Sequence, residues 1–317
     1  MAKIVSSTCL AIALALCSQA AQAQSVRTFV SAARGDDANP CNSIAAPCRT
    51  FQAAHDKTLS DGEVTVLDPG GYGSLIITKS ISVINDGSGE ASILVSGGAI
   101  GILVNAPPAG YVNLRGITVQ GIGFGGGRGI AFNTGFALTI ENCVVRNHND
   151  VGIDLRPAGN NHFSILNTLV ADNGGRAGIY IQTCCAGTVT AQFDRIQLYN
   201  NSHEGLEVNG GPSPAGATIS AVVTDSVAAN NLSSDVTFGG GLAVHTVSAA
   251  TTLTVVRSVI HSNGLRLKAI GASILRIGQS ALTRNATSWV GNVQSYGDNY
   301  IDGNGDSNPA PPAIAMK

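Results

Sequence analysis

The feature that most constrains this chain is a spaced recurrence. Short apolar runs end in Asn at "NCVVRN", "TLVADN", "RIQLYN", "SVAANN", "SVIHSN" and "SALTRN", with the last residue at 147, 173, 200, 231, 263 and 285. "GITVQG" ends in Gly121 at the equivalent place upstream. The mean spacing is about 27 residues, a period that signals stacked structural repeats. After each run comes Gly-apolar-x-apolar: "GILV" from 101, "GIAF" from 129, "GIDL" from 152, "GIYI" from 178, "GLEV" from 205 and "GLAV" from 241. Both halves are short, alternate at period two and are rich in Val and Ile, so both read as strands. No segment inside the array keeps a 3.6-residue pattern, which disfavours helical and leucine-rich repeats. The repeat predicts an all-β parallel β-helix.

Parallel coils stack about 4.8 Å apart, so equivalent side chains form columns. The alignment places Ile117, Cys143, Leu169, Ile196, Val227 and Val259 in one interior column. It places Asn147, Asn173, Asn200 and Asn231 in another, where Asn tolerates a left-handed turn and its amides can bond from coil to coil. The following Gly is expected to relieve the next bend.

Export is expected from the first residues. Lys3, the apolar run Leu10 to Leu16 and the small-x-small site Ala21-Gln22-Ala23 predict a secretory signal peptide over 1–23, cleaved before Gln24. The expected location is therefore secreted or periplasmic. No later apolar run approaches the roughly 20 residues of a membrane span. With 18 basic against 20 acidic residues, the chain lacks the basic excess of a nucleic-acid binder. Only 12% of residues are charged, about half the usual share, so Asn, Ser, Thr and Gly must supply the polar surface. Cys41 and Cys48 lie in one loop, "NPCNSIAAPC", and are predicted to pair, since export favours bridging. Cys143 reads as a small buried hydrophobe. Cys184-Cys185 reads either as a vicinal disulfide or as two thiols.

A solenoid must cap its ends. "FQAAHDKTLSDG" puts Phe51, Ala54, Thr58 and Leu59 on one helical stripe, with Thr50 as N-cap and Gly62 as stop, a capping helix over the first coil. The expected organisation is an N-terminal loop and capping helix at 24–62, the β-helix at 63–301 and a loose polar tail at 302–317. "RTFVSAARGDDANPCNSIAAPCRTFQAA", followed by "VLDPGGYGSLIITKSISV", resembles the N-terminal end of secreted bacterial right-handed parallel β-helix proteins, a pectate-lyase-like superfold. The resemblance covers roughly residues 26 to 90 and implies a right-handed coil, which periodicity alone cannot show. More distant β-helix proteins include pectate lyases and polygalacturonases, but their motifs do not carry over. The lone Asp-Asp, Asp36-Asp37, lies in the N-terminal loop, Gly-His-Gly is absent, and no acidic cluster accompanies an Arg base.

Other chemistry is thin. "GIGFGG" at 121–126 opens no helix that could cradle a phosphate. No cofactor is required by the sequence. "DGNGD" at 302–306 alternates oxygen ligands as a calcium loop does, but lacks a downstream bidentate Glu. What remains comes from the columns. Outward positions read Leu103, Ala131, Asp154, Tyr180, Glu207, Ala243 and, two residues on, Asn105, Asn133, Arg156, Gln182, Asn209, His245. The adjoining turn adds Asp150, Arg176, His203 and Glu204. Acidic, basic and aromatic groups thus gather on the middle coils.

Asp154 and Glu207, two coils apart, have a spacing compatible with the acid and base of an inverting glycosidase, and Tyr180 between them could stack on a sugar. Asp150, Arg156, Arg176, Gln182, His203, Glu204 and Asn209 complete a candidate ligand face. The bland alternative is a solvated sheet surface. Two functions follow. One is binding or processing of an extended polysaccharide on this face, as a lyase or glycoside hydrolase if catalytic. The other is a non-catalytic envelope or surface protein used for structure or adhesion.

Overall fold

A computed structural model of the protein describes residues 24–211, 217–232, 240–246, 250–264 and 267–315. The expected export signal at 1–23 lies outside the described residues. Each coil contributes one strand to each of three all-parallel sheets, which hold 11, 10 and 9 strands among the described residues. The first sheet runs from Ser25–Val30 to Val293–Ser295, the second from Gly70–Gly71 to Tyr300–Asp302, and the third from Leu75–Ile77 to Trp289–Gly291. The architecture is a right-handed parallel β-helix, the hand that strand twist favours for parallel crossovers. Inward side chains from all three sheets merge into one apolar core.

The corners are held by polar side chains. After the second-sheet strand, the amide oxygen of Asn201 accepts from the backbone N–H and Nδ2 of Asn173, at 3.3 and 3.0 Å. Asn231, Asn263, Asn285 and Asn304 repeat the contact, each accepting from the coil before. Asn308 closes the series, and His148 opens it by donating its N–H to Asn173. The same Nδ2 groups donate to backbone carbonyls, Asn201 to Val170 and Asn231 to Leu198. At the other end of the strand a hydroxyl ladder does similar work. Ile196 N–H donates to Ser226 Oγ, Ser226 N–H to Ser258 Oγ and Ser258 N–H to Ser280 Oγ, at 3.1–3.2 Å.

This corrects the expected column by one residue. Asn147 and Asn200 are not in the ladder. They stand in the neighbouring column with Asp172, Asn230, Ser262 and Arg284, all at φ between 53° and 62°, the left-handed turn itself. The ladder takes the next residue, so Asn173 and Asn231 stack with Asn201. The interior column shifts likewise. Ile117, Cys143 and Ile196 share a buried column with Thr168, Ser226 and Ser258, whereas Leu169, Val227 and Val259 pair with Val144 one step on and are only partly covered. The Gly of Gly-Ile stands at a bend at 101, 129 and 152 but inside a strand at 178, 205 and 241, and it has a further reason. A Cβ on Gly152 would stand 2.7 Å from Asn173 Nδ2, and one on Gly178 would stand 2.7 Å from Asn201 Nδ2. Glycine is there because the ladder amide occupies the space a side chain would need.

The helix α1, Phe51–Lys57, covers the first coil, with Thr50 Oγ1 accepting from Ala53 N–H. It is shorter than the stripe predicted. Thr58 caps it through Oγ1 to Ala54 O at 2.7 Å and begins the strand Thr58–Val66, leaving Leu59 exposed and Gly62 inside the strand. The solenoid also starts earlier than 63, because Ser25–Val30 pairs with that strand. Cys41 and Cys48 are bonded, with Cα atoms 5.0 Å apart. Their loop occupies the free edge of the first strand through Phe29 N–H to Cys41 O and Cys48 N–H to Phe29 O, both 2.8 Å. The tail is not loose. Ser295 N–H donates to Pro312 O, Ile314 N–H to Ser295 O and Trp289 Nε1 to Pro309 O, at 2.8–2.9 Å.

Two expectations follow from the ladder. Asn231→Ala strips partners from Asn201, Asn263 and Leu198 at once and should cost about 3 kcal/mol in urea unfolding. Asn200→Ala, in the turn column, should cost only about 1 kcal/mol, and equal costs would reject the assignment. Burial lowers the pKa of His148 below 6.5, and His55 shifts the same way, also through burial. The unfolded chain therefore takes up protons first, so stability should be full above about pH 6.5 and decline as pH falls below it. His148→Gln should reduce that decline between about pH 7.5 and 5.5, roughly the span of an ordinary His titration.

Candidate functional site

The first of the two third-sheet columns aligns as read from the sequence, but in the second Asn105 pairs with Thr134 and not with Asn133, at a register shift. Leu103, Ala131, Asp154, Tyr180, Glu207 and Ala243 are register partners in turn, and Gln182, Asn209 and His245 follow in the second column. Their exposure differs from the expectation of a solvent-facing pair. Asp154 and Glu207 point out of the barrel yet are 1% and 0% exposed, and Tyr180 is 1% exposed. Arginines cover them.

Arg128 Nη1 and Arg156 Nε each lie 2.7 Å from a different oxygen of Asp154. Arg176 grips Glu207 with both arms, Nε to Oε2 at 2.7 Å and Nη2 to Oε1 at 2.6 Å. Between the pairs, the ring of Tyr180 is sandwiched, with the guanidinium carbons of Arg156 and Arg176 at 4.7 and 4.9 Å from its centre. Asp154, Arg156, Tyr180, Arg176 and Glu207 thus form one continuous stack. Fork-shaped, weakly hydrated guanidinium suits both contacts, which Lys would not reproduce. Asn209 Nδ2 adds a bond to Glu207 at 2.9 Å, and Arg156 Nη1 donates to Gln182 Oε1.

The electrostatics follow from burial. Desolvation, helped by the Glu207 charge, pushes the Tyr180 phenol up to about 12. Arg176 is driven above its ordinary value chiefly by its hydrogen bonds to Glu207, so it stays charged. The outer faces of the arginines remain reachable, with Arg156 and Arg176 42% and Arg128 31% exposed. Three guanidiniums cover the buried Asp154 and Glu207, and a third buried carboxylate, Glu204, also acts on Arg176. A general acid or base must touch its substrate, and here neither carboxylate is reachable unless an arginine moves. Tyr180 fills the space where an inverting pair would hold a water, and its faces are taken by guanidiniums instead of sugar.

The remaining candidates spread around this stack. Asp150 is exposed in the turn, Glu204 is buried beside Ala177 in register, and His203 Nδ1 lies 3.0 Å from Gly175 O. Arg128 is a member that the candidate columns do not include. It directly precedes Gly129, a column shared with Val151, Ala177 and Glu204, and reading that column would have found it. Adjacent Cys184 and Cys185 pair as a vicinal disulfide near the end of the strand Ala177–Gln182. Two polar residues of the 302–306 loop are engaged by the protein, while Asp302 is exposed. Asn304 joins the ladder, and Asp306 Oδ2 accepts from Ser288 N–H and Oγ, both at 2.8 Å.

No family model and no curated protein matches the sequence. Among solved structures, the chain is similar to the pectate lyase Pel9A, with TM-score 0.60 and 15% identity over 93% of this chain and 78% of that one. It is also similar to an alginate lyase from Paenibacillus sp. str. FPU-7, with TM-score 0.50 and 13% identity over 85% and 99%. At such identities the likeness is one of fold.

Because Glu207 anchors Arg176, Glu207→Gln should destabilise the protein. Arg176 can turn to solvent once released, which tempers the loss to about 2 kcal/mol. An unchanged urea midpoint would mean that the ion pair does not hold the stack.

Proposed function

We propose that the protein binds an extended acidic polysaccharide along the third sheet, with ligand carboxylates on the outer faces of Arg128, Arg156 and Arg176. The observation that carries this reading is the row of half-exposed guanidiniums fixed in place by buried carboxylates and Tyr180. Such a row is preorganised, so little side-chain freedom is lost on binding. Guanidinium pairs with carboxylate in a two-pronged geometry. Arg156 and Arg176, from neighbouring coils, lie 4.7 and 4.9 Å from the centre of one Tyr180 ring, so their guanidiniums are held close to each other. The fold likeness to a pectate lyase and an alginate lyase supports a long glycan as the ligand class. The overall charge of −2 argues against a nucleic acid.

In this reading Asp154 and Glu207 act as positioning residues, and the function is binding. Gln182 and Asn209, bonded to members of the stack, align its rim. The disulfide between Cys41 and Cys48 and the expected signal peptide suit a secreted or periplasmic protein that meets such glycans. A second reading, a surface protein used for structure or adhesion, draws support from the internal pairing of every carboxylate in the stack.

Calorimetry with polygalacturonate, alginate and neutral dextran separates the two. Binding of the acidic polymers should weaken with salt, and Arg156→Gln or Arg176→Gln should each weaken it about tenfold, ~1.4 kcal/mol. Equal affinity for dextran, or unchanged affinity in both variants, would leave the structural role in its place.

A further inference from the structure

The corner between the third and first sheets varies in length, and the variation leaves a notch. Residues 106–110 join Ile102–Asn105 to Tyr111–Arg115, and 156–160 join Ile153–Leu155 to Asn161–Leu166. Between those longer turns, only Gly135 and Phe136 join Ile130–Thr134 to Ala137–Glu141. A short turn flanked by two longer ones is a recess with two walls. Here it encloses about 320 Å3, at the lower end of the size of small-molecule sites.

Pro108 belongs to the wall on one side and Ala158 and Asn160 to the other, with Thr134 and Phe136 at the base. Gly135, at φ 148°, makes the tight turn possible, because a Cβ there would stand 2.9 Å from the Phe132 ring. Asn161 is 4% exposed; its Nδ2 donates to Gly135 O at 2.6 Å, and its Oδ1 has no partner. The Phe136 ring is flanked edge-on by Tyr111 at 5.3 Å and His162 at 4.9 Å. None of the lining residues carries a charge. The notch also adjoins the guanidinium row. Asn133, at its edge, follows Phe132, the register partner of Leu155, and so stands beside Arg156.

We infer that this notch takes one neutral, hydroxylated sugar unit, so that the ligand is a mixed polysaccharide whose acidic units lie on the arginines and whose neutral unit or branch enters the recess. The inference rests on the acidic-polysaccharide reading and adds the sugar class at a second subsite. Each lining amide has one end engaged in the protein, Asn133 Nδ2 by Asn105, Asn160 Oδ1 by Thr188 N–H and Asn161 Nδ2 by Gly135 O, so the acceptor of Asn133 and the donor of Asn160 are the groups left to meet neighbouring hydroxyls. The apolar face of a pyranose matches Phe136 and Pro108. A carboxylate in the same recess would lose water without gaining a cation, an unfavourable exchange. The uncharged notch therefore sorts neutral units from the acidic ones that the arginines hold.

The test uses Ala158→Trp, an exposed turn substitution that fills the notch without touching the arginine stack. The wild-type protein should bind acidic arabinogalactan at least tenfold more tightly than homopolygalacturonate, and the variant should lose that advantage while keeping homopolygalacturonate affinity. Separately, the methyl glycosides of glucose, galactose, mannose and N-acetylglucosamine are titrated by amide NMR. At least one should shift Thr134, Ala158 and Asn160 in the wild type and none in the variant. If homopolygalacturonate does not bind, the arginine reading falls, and the glycoside titration alone judges the notch. Absence of any glycoside shift in the wild type, equal shifts in the variant, or an equal response to methyl galacturonide overturns the inference.

Discussion

From His148 to Asn308 the solenoid depends on one interaction, the donation of a backbone N–H in each coil to the side-chain oxygen of an Asn in the next. A parallel sheet has weak intrinsic register when its faces are repetitive. The ladder from His148 to Asn308 removes that freedom, because slipping by one residue would leave several buried amides unpaired in every coil. It also dictates composition nearby. The glycines at 152, 178, 205 and 241 sit where a ladder amide leaves no room for a Cβ, or where the next backbone comes too close. The short motif that made the repeat visible is thus the imprint of one hydrogen-bonded column on its neighbour.

Fixed register is what lets isolated polar residues become a site. Asp154, Tyr180 and Glu207 come from three coils, yet their backbones are neighbours across paired strands. Arg128, Arg156 and Arg176 then cover them, and burial follows from packing side chain on side chain above a sheet that would otherwise face water. Ion pairs removed from water are weak sources of net stability. Their value here is geometric, since each carboxylate restrains a guanidinium whose far side remains available.

The sequence was legible where its pattern has a single solution. In the third sheet, Gly-apolar-x-apolar contains one Gly per coil, and the column of x residues read from it matches the strand pairing. In the second sheet, Asn200-Asn201 and Asn230-Asn231 offer two candidates for one place, and the repeat pattern does not distinguish them. Turn and ladder accept the same amino acid for different reasons, left-handed backbone in one and an amide in the other. Burial of the Asp154–Glu207 face was hidden for a different cause. Outward direction can be read from alternation, but whether long side chains from adjoining turns fold over that face cannot. The end of α1 was misplaced because Thr58 satisfies a helical stripe and a strand equally well.

The ladder also has a sense of direction. Every Asn oxygen points toward the preceding coil and accepts, while every Nδ2 is offered to the following oxygen, so the side-chain dipoles line up head to tail along the axis. Such a column is not symmetric under reversal. An ionised Asp could accept at any position but could pass onward only its backbone N–H, so the line of side-chain dipoles would end there, and it fits best at the last position. A residue that merely donates its backbone N–H fits only at the first, which is where His148 stands. The solenoid can therefore gain or lose whole coils between those two terminators and keep an unbroken chain of dipoles. The length of the protein is in this respect a free variable, and the polarity of its axis is not.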